Sequence, residues 1–388
     1  MTHQEAPWHL STMASILRGT DSGAVYTFGK TRFADNKPSQ FFIKNDPIID
    51  IACGDEFTIV LCQNGRLFSF GSNEYGQLGL GHKKTVNRPS CIKTLKPFKV
   101  KLIACGRSHS IAVNEYNHIY TFGNNSDGQL GQSNTIDKDI PTKIEDSPTK
   151  SNGKIIQVSA GSNHSAVLTE KGRLYIWGSN TEGQLGLSID TKVEKITAPT
   201  MVAVPEKIIH ISCGYYHSGF VTENGNAYTF GENENGKLAC GLNENGQLGI
   251  GDENIKVVSE PVIINKNIFE NSDIMNVSCG ERHTAFVTKT GKLFTCGDSK
   301  YGKLCNLSET NDSEFSPKLV SQFENVKVCG VSCGGCHTIV SIQKNNFQLK
   351  LDNIPSKLPA LPPMSKKIEI PNIEDNFTNG GEEWFIER

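Results

Sequence analysis

From Leu67 the chain reads LFSFG and from Phe57 FTIVL, and runs of this kind recur from end to end. Each carries apolar residues in alternation or in a short unbroken stretch of about five or six residues, bounded by glycine or a polar turn. That is the signature of half-buried and buried strands, and the spacing of an amphipathic helix is largely missing. Turn signals precede many of the runs: Asn64-Gly65, Lys171-Gly172, Asn224-Gly225 and Thr290-Gly291. The pattern predicts an all-β chain of short antiparallel hairpins.

The runs are copies of two elements. IACGDEFTIVL (from Ile51), IACGRSHSIAV (Ile103), VSAGSNHSAVL (Val158), ISCGYYHSGFV (Ile211), VSCGERHTAFV (Val277) and VSCGGCHTIVS (Val331) share one frame. A strand ends in Cys/Ala-Gly, two variable residues follow, and then His, Ser/Thr and a second strand. Interleaved with these lie LFSFGSNEYGQLGLG (Leu67), IYTFGNNSDGQLGQS (Ile119), LYIWGSNTEGQLGLS (Leu174), AYTFGENENGKLACG (Ala227) and LFTCGDSKYGKLCNL (Leu293), with a degenerate VYTFGKTRFADN at Val25. The turn glycines Gly54, Gly106, Gly161, Gly214, Gly280 and Gly334 are spaced by 52, 55, 53, 66 and 54 residues. A Gly-rich unit of roughly 50 residues with room for four strands, repeated in tandem, predicts a β-propeller. Six four-stranded blades are expected over residues 21–345, after a flexible segment 1–20 and before a flexible, Pro-containing tail 346–388. The lone GAVYTFGK at the start and the lone CGGCHTIVSIQ at the end are expected to close the ring as one composite blade.

Within the 66-residue interval, GENENGKLAC runs directly into GLNENGQLGI, two second elements back to back. Either about ten residues were duplicated or about one blade was lost; the loss preserves strand register and is preferred.

Composition narrows the function. The 388 residues carry 39 basic and 41 acidic side chains, with a pI near 6.6, so neither nucleic acid nor an anionic membrane is the expected partner. No apolar run approaches the roughly 18 residues of a membrane span, and the N-terminal residues lack a signal-peptide pattern. Twelve cysteines in such a chain read as reduced thiols in the cytoplasm. Cys333-Gly-Gly-Cys336-His337 spells a haem-attachment motif, and Cys329 adds a thiol that could suggest zinc. Cys333 and His337, however, occupy frame positions shared with the other copies, so neither cofactor nor metal is expected. GENENGKL and GDSKYGKL nearly spell a phosphate-binding loop, yet Leu238 and Leu304 stand where Ser or Thr must hold magnesium. No catalytic constellation emerges. His109, His164, His217, His283 and His337 recur once per unit, as a structural hydrogen bond requires, and Phe57 replaces the first.

The residues that differ between copies are the turn tips: Asp55-Glu56, Arg107-Ser108, Ser162-Asn163, Tyr215-Tyr216, Glu281-Arg282 and Gly335-Cys336. They are expected on one rim, forming a polar and aromatic surface that binds a protein, because Tyr and Arg are enriched at interface hot spots. Asp55, Glu56, Arg107, Ser162, Asn163, Tyr215, Tyr216, Glu281 and Arg282 are the candidates.

In both elements and their order, the units over about residues 21–345 resemble the repeats of the regulator of chromosome condensation family. The resemblance implies a propeller, seven-bladed as the family norm. It implies a scaffold at the ciliary transition zone or basal body, with partners of three kinds: small GTPases of Rab, Arf-like or Ran type, a ciliary scaffold protein, and a prenyl-binding protein. The alternative it implies is guanine-nucleotide exchange on such a GTPase, which the family's founding member performs on Ran with a protruding wedge. The insertions near Ser147–Gly153 and Asn235–Asn245 are the only candidates for a wedge here. The clustered tryptophans of the family's ultraviolet receptor have no counterpart, since only Trp177 lies in the repeats.

Overall fold

The computed structural model describes residues 23–27, 39–43, 46–145, 153–187, 193–232, 246–251, 257–305, 313–335, 337–343 and 384–387. The first complete sheet is β3 (Ile48–Cys53), β4 (Phe57–Cys62), β5 (Leu67–Gly71) and β6 (Val86–Cys91). The second is β7 (Val100–Cys105), β8 (His109–Asn114), β9 (Ile119–Gly123) and β10 (Lys138–Lys143), and the third β11 (Ile155–Ala160), β12 (His164–Thr169), β13 (Leu174–Ser179) and β14 (Lys195–Met201). The fourth is β15 (Ile208–Cys213), β16 (His217–Thr222), β17 (Ala227–Glu232) and β18 (Val257–Ile263); the fifth is β19 (Ile274–Cys279), β20 (His283–Thr288), β21 (Leu293–Gly297) and β22 (Glu314–Leu319). A two-stranded sheet of β23 (Val328–Cys333) and β24 (Thr338–Ile342) follows. All pairings are antiparallel in chain order, and β7, β11, β15, β19 and β23 each pack beside the first strand of the preceding sheet. Counting the two-stranded sheet, the blades number six.

Within a sheet, position decides composition. The second strands β8, β12, β16 and β20 are buried at every residue and read as near-continuous apolar runs. The fourth strands lie outermost and carry Pro89, Pro141, Pro199, Pro261 and Pro317, which an edge strand tolerates because it leaves one row of N–H groups outside the ladder. The core lies between sheets: Trp177 packs with Ile111 and Val113 of the second sheet, and Phe122 with Ile59 and Leu61 of the first. Each fully buried aromatic contributes about 2–3 kcal/mol, against about 0–1 kcal/mol for an exposed ion pair such as Lys207–Glu223, so inter-sheet packing holds the assembly.

In the irregular interval, β17 ends at Glu232, and the second of the two back-to-back copies supplies the loop that follows it. The Leu248 carbonyl accepts from Thr229 Oγ1, as Leu130 accepts from Thr121 in the second sheet. Residues 233–245, with the first Gly-Lys-Leu, lie outside the described residues, as does 146–152, so neither wedge candidate is described.

The two ends of the chain do meet in one sheet, through different strands from those expected. β1 (Gly23–Thr27) pairs with β2 (Ser39–Ile43), and β2 pairs with β25 (Trp384–Glu387). Trp384-Phe-Ile-Glu, inside the tail expected to be flexible, therefore forms a strand. Among the described strands β24 pairs only with β23.

Candidate protein-binding rim at the ring axis

The Cys-Gly turns converge on the axis and bond to one another. The N–H of Asp55 donates to the Arg107 carbonyl (3.4 Å), Arg107 to Ser162 (3.4 Å), Ser162 to Gly214 (3.3 Å), Tyr215 to Gly280 (3.1 Å) and Glu281 to Gly334 (3.1 Å). This close approach is what the glycines permit. A Cβ on Gly214 would stand 2.5 Å from the Gly280 carbonyl oxygen, and one on Gly161 would overlap both the His164 ring and the Gly214 carbonyl oxygen.

Behind each turn the histidine links one blade to the next. His109 Nε2 lies 2.8 Å from Ser165 Oγ, His164 2.8 Å from Ser218 Oγ, His217 2.8 Å from Thr284 Oγ1 and His283 2.9 Å from Thr338 Oγ1. Each hydroxyl donates its one proton to a backbone carbonyl: Ser165 to Gln129, Ser218 to Gln184, Thr284 to Gln247 and Thr338 to Lys303. Each hydroxyl must therefore accept from the imidazole, which fixes the Nε2–H tautomer. Nδ1 of His109, His164, His217 and His283 is buried without a partner, and burial lowers all four to about 3. They are neutral at physiological pH. His337 differs: it is exposed. Phe57, at the other end of the series, offers no donor.

The two tip positions have different duties. The second position turns its backbone outward: the carbonyls of Glu56, Ser108, Asn163 and Arg282 accept from Ser72, Asn124, Ser179 and Asp298. The first position supplies the backbone bonds between turns, and several of its side chains meet across the axis. Tyr215 donates its hydroxyl to Asp55 Oδ1 at 2.6 Å, from the fourth sheet to the first. Arg107 Nε stands 3.4 Å from the other Asp55 oxygen. Burial, and then the bond to Asp55, push the Tyr215 phenol above its usual range, so it remains a donor. Tyr216 packs edge-on against Tyr215 at 5.7 Å, and Arg282 Nε lies 3.7 Å from Glu281. The rim thus combines Asp55, Arg107, Tyr215, Tyr216, Glu281 and Arg282, with Glu56 exposed and Asn163 half-buried beside them. Ser162 does not join this surface: its side chain is buried, and its hydroxyl has no partner. Cys336 lies outside the described residues.

The Gly-Gln/Lys-Leu loops, whose phosphate-loop spelling was set aside above, contribute the carbonyls of Gln129, Gln184, Gln247 and Lys303 that accept from the hydroxyls behind the turns. In the fifth sheet, Lys303 forms a buried ion pair with Asp298 (2.7 Å; side chains 3% and 5% exposed). In the second sheet the same two places hold Gln129 and Asn124, joined by a neutral bond of 3.1 Å. The lysine is paired with the aspartate in the interior. The signal was in the sequence, since Asp and Lys replace Asn and Gln together. Among the described residues, no three His, Cys, Asp or Glu side chains are grouped to hold a metal ion, and no helix is long and apolar enough to cross a membrane.

Glycine-lined turns bonded one to the next around an axis, with differing tips at one mouth, define a β-propeller of the tandem-repeat class. The regulator of chromosome condensation (RCC1) repeat matches residues 64–113, 116–168, 171–221, 238–287 and 290–341, and the chain belongs to that family. Among its relatives, the X-linked retinitis pigmentosa GTPase regulator of Homo sapiens is 43% identical over 370 residues, covering 82% of this chain. The chain spans 35% of that relative's length. The ultraviolet-B receptor UVR8 of Arabidopsis thaliana is 33% identical over 301 residues, covering 77% of this chain and 64% of the receptor. Of the solved structures, human WBSCR16 superimposes with a TM-score of 0.66 at 20% identity, covering 84% of this chain and 85% of that one. Prp20p from Saccharomyces cerevisiae, described with its binding to Gsp1p and histones, gives 0.51 at 19%, covering 88% and 97%. Both structures share the fold.

Proposed function

We propose that this chain is a protein-binding scaffold that regulates a small GTPase of the Rab, Arf-like or Ran type, and that it does so through the axial rim. The observation that carries this reading is the division of labour in the turns. Gly, His and Ser/Thr are repeated and buried, while Asp55, Glu56, Arg107, Asn163, Tyr215, Tyr216, Glu281 and Arg282 differ from blade to blade and lie at one mouth. Two tyrosines and two arginines beside three carboxylates match the composition of hot-spot clusters. The named relative, a GTPase regulator, supports the partner class. A ciliary scaffold protein and a prenyl-binding protein are further proposed partners, with the transition zone or basal body as the proposed location.

Nucleotide exchange is the second reading, favoured by the fold it shares with Prp20p. Exchange requires a face that binds the nucleotide-free GTPase better than the loaded form. One experiment separates the two. Purified chain is added to a Rab or Ran GTPase loaded with fluorescent nucleotide, and both binding and nucleotide release are followed. Binding without faster release supports the scaffold; release accelerated by substoichiometric chain supports exchange; absence of binding to any member of the class refutes both.

A further inference from the structure

We infer, on the reading that the rim binds a small GTPase, that the same partner seats an apolar ridge on a strip between the first and second sheets formed by Tyr75, Ile136 and Ile140. Tyr75 is 39% exposed, Ile136 65% and Ile140 44%. They stand on two segments that touch along their length. A Cβ on Gly76 would lie 2.4 Å from Asp139 Cα and one on Gly81 3.6 Å from Ile140 Cγ2. The Gly81 N–H donates to the Asp139 carbonyl (2.9 Å), and Lys83 Nζ pairs with Asp137 Oδ2 (3.2 Å). The strip is continuous with the rim. The Ser72 N–H donates to the Glu56 carbonyl, so the loop that carries Tyr75 starts from the first tip. β10 begins at Lys138 opposite Gly123, and the next residue, Asn124, donates its N–H to the Ser108 carbonyl of the second tip.

The other junctions show that the fold does not ask for apolar residues here. The loop uses only the backbone of the residue at Tyr75: its N–H donates to Gln77 Oε1 (3.0 Å), as Asp127 donates to Gln129 (2.9 Å) and Glu182 to Gln184 (2.9 Å). Between the second and third sheets the three places hold Asp127, Glu194 and Ala198, since Ile196 stands opposite Gly178 as Lys138 stands opposite Gly123. Between the third and fourth sheets, Glu182 and Glu260 take the places of Tyr75 and Ile140. Apolar residues exposed singly are ordinary, but three on one strip, where sister junctions carry acids, mark an interaction surface. Size points the same way. A stable interface takes roughly 20–30 residues a side, more than the tips supply, so a partner held at the rim must spread outward. An apolar anchor beside polar and charged residues is how such interfaces divide their composition.

Calorimetric titration of the full chain with purified GTPases of the Rab, Arf-like and Ran types tests the strip. Tyr75→Asp with Ile136→Glu installs the residue types that the next junction carries at Asp127 and Glu194, so the melting temperature is expected to hold while affinity falls about tenfold or more. Tyr75→Asn with Ile136→Gln removes the apolar surface without adding charge and is expected to weaken binding as much. Weakening confined to the acidic pair would overturn the inference, because charge alone would then account for it. A lowered melting temperature in both pairs would overturn it too, by assigning Tyr75 and Ile136 to packing. Unchanged affinity in both pairs, with binding weakened in Tyr216→Ala with Arg282→Ala, would remove the strip and leave the rim as the binding surface. A parent chain that binds none of the three GTPase types refutes the rim reading and the strip with it.

Discussion

Replacing His164 by Phe, the residue that blade one carries at Phe57, tests the reading of the buried histidines through two effects of opposite sign. At pH 7.5 the variant loses the bond from His164 Nε2 to Ser218 Oγ, while Ser218 keeps its bond to the Gln184 carbonyl. One net hydrogen bond of about 1 kcal/mol is lost. Acid changes the balance. A histidine held at about 3 in the fold titrates at about 6.5 when unfolded, so between these values the unfolded chain binds the extra proton. Its stabilising contribution is complete above pH 6.5 and is lost progressively as the pH falls toward 3. From pH 7.5 to pH 5 such a histidine costs about 2 kcal/mol. The parent chain is therefore expected to lose stability as the pH falls from 7 to 5. His164→Phe should be about 1 kcal/mol less stable at pH 7.5, equal near pH 6, and about 1 kcal/mol more stable at pH 5. Urea unfolding at a series of pH values, read by far-ultraviolet circular dichroism, measures the crossing. A variant whose stability falls with pH as steeply as the parent's would refute the assignment of His164 as a buried neutral donor.

Three other expectations follow from the same geometry. Gly161→Ala should destabilise by about 3 kcal/mol, since the added methyl overlaps the His164 ring and the Gly214 carbonyl; calorimetry would detect it as a lowered melting temperature. Lys303→Gln should cost about 3–5 kcal/mol by leaving Asp298 unpaired in the interior, and Lys303→Gln with Asp298→Asn should recover most of that, because Gln129 and Asn124 already make the neutral pair in the second sheet; denaturant midpoints of the single and double variants check this. Tyr215→Phe removes the cross-axis bond to Asp55 at a half-exposed rim and should change stability by only about 1 kcal/mol, measurable in the same titration.

The fold was largely legible because its constraints are local and repeated. A glycine that must let two carbonyl-lined turns touch recurs as Gly106, Gly161, Gly214 and Gly280, and a buried donor recurs as histidine with a hydroxyl residue beside it. The outermost strands were less visible, although Pro141, Pro199, Pro261 and Pro317 mark them, since their half-exposed residues follow no strict alternation. The rim was legible only in outline. Which tip residue faces the axis depends on backbone direction within the turn, so the burial of Ser162 and the meeting of Tyr215 with Asp55, 160 residues apart, could not be read from spacing. The strand at Trp384–Glu387 was hidden in a Pro-containing stretch without periodicity.

The affinity of the chain for a Rab, Arf-like or Ran-type GTPase, measured by calorimetry for the parent, for Tyr216→Ala with Arg282→Ala, and for His164→Phe, tests the central claim most directly. The account predicts that the rim pair weakens binding at least tenfold with the melting temperature unchanged, while His164→Phe lowers stability and leaves affinity intact. Undiminished affinity in the rim pair, or binding lost only when the buried histidine is replaced, would contradict it.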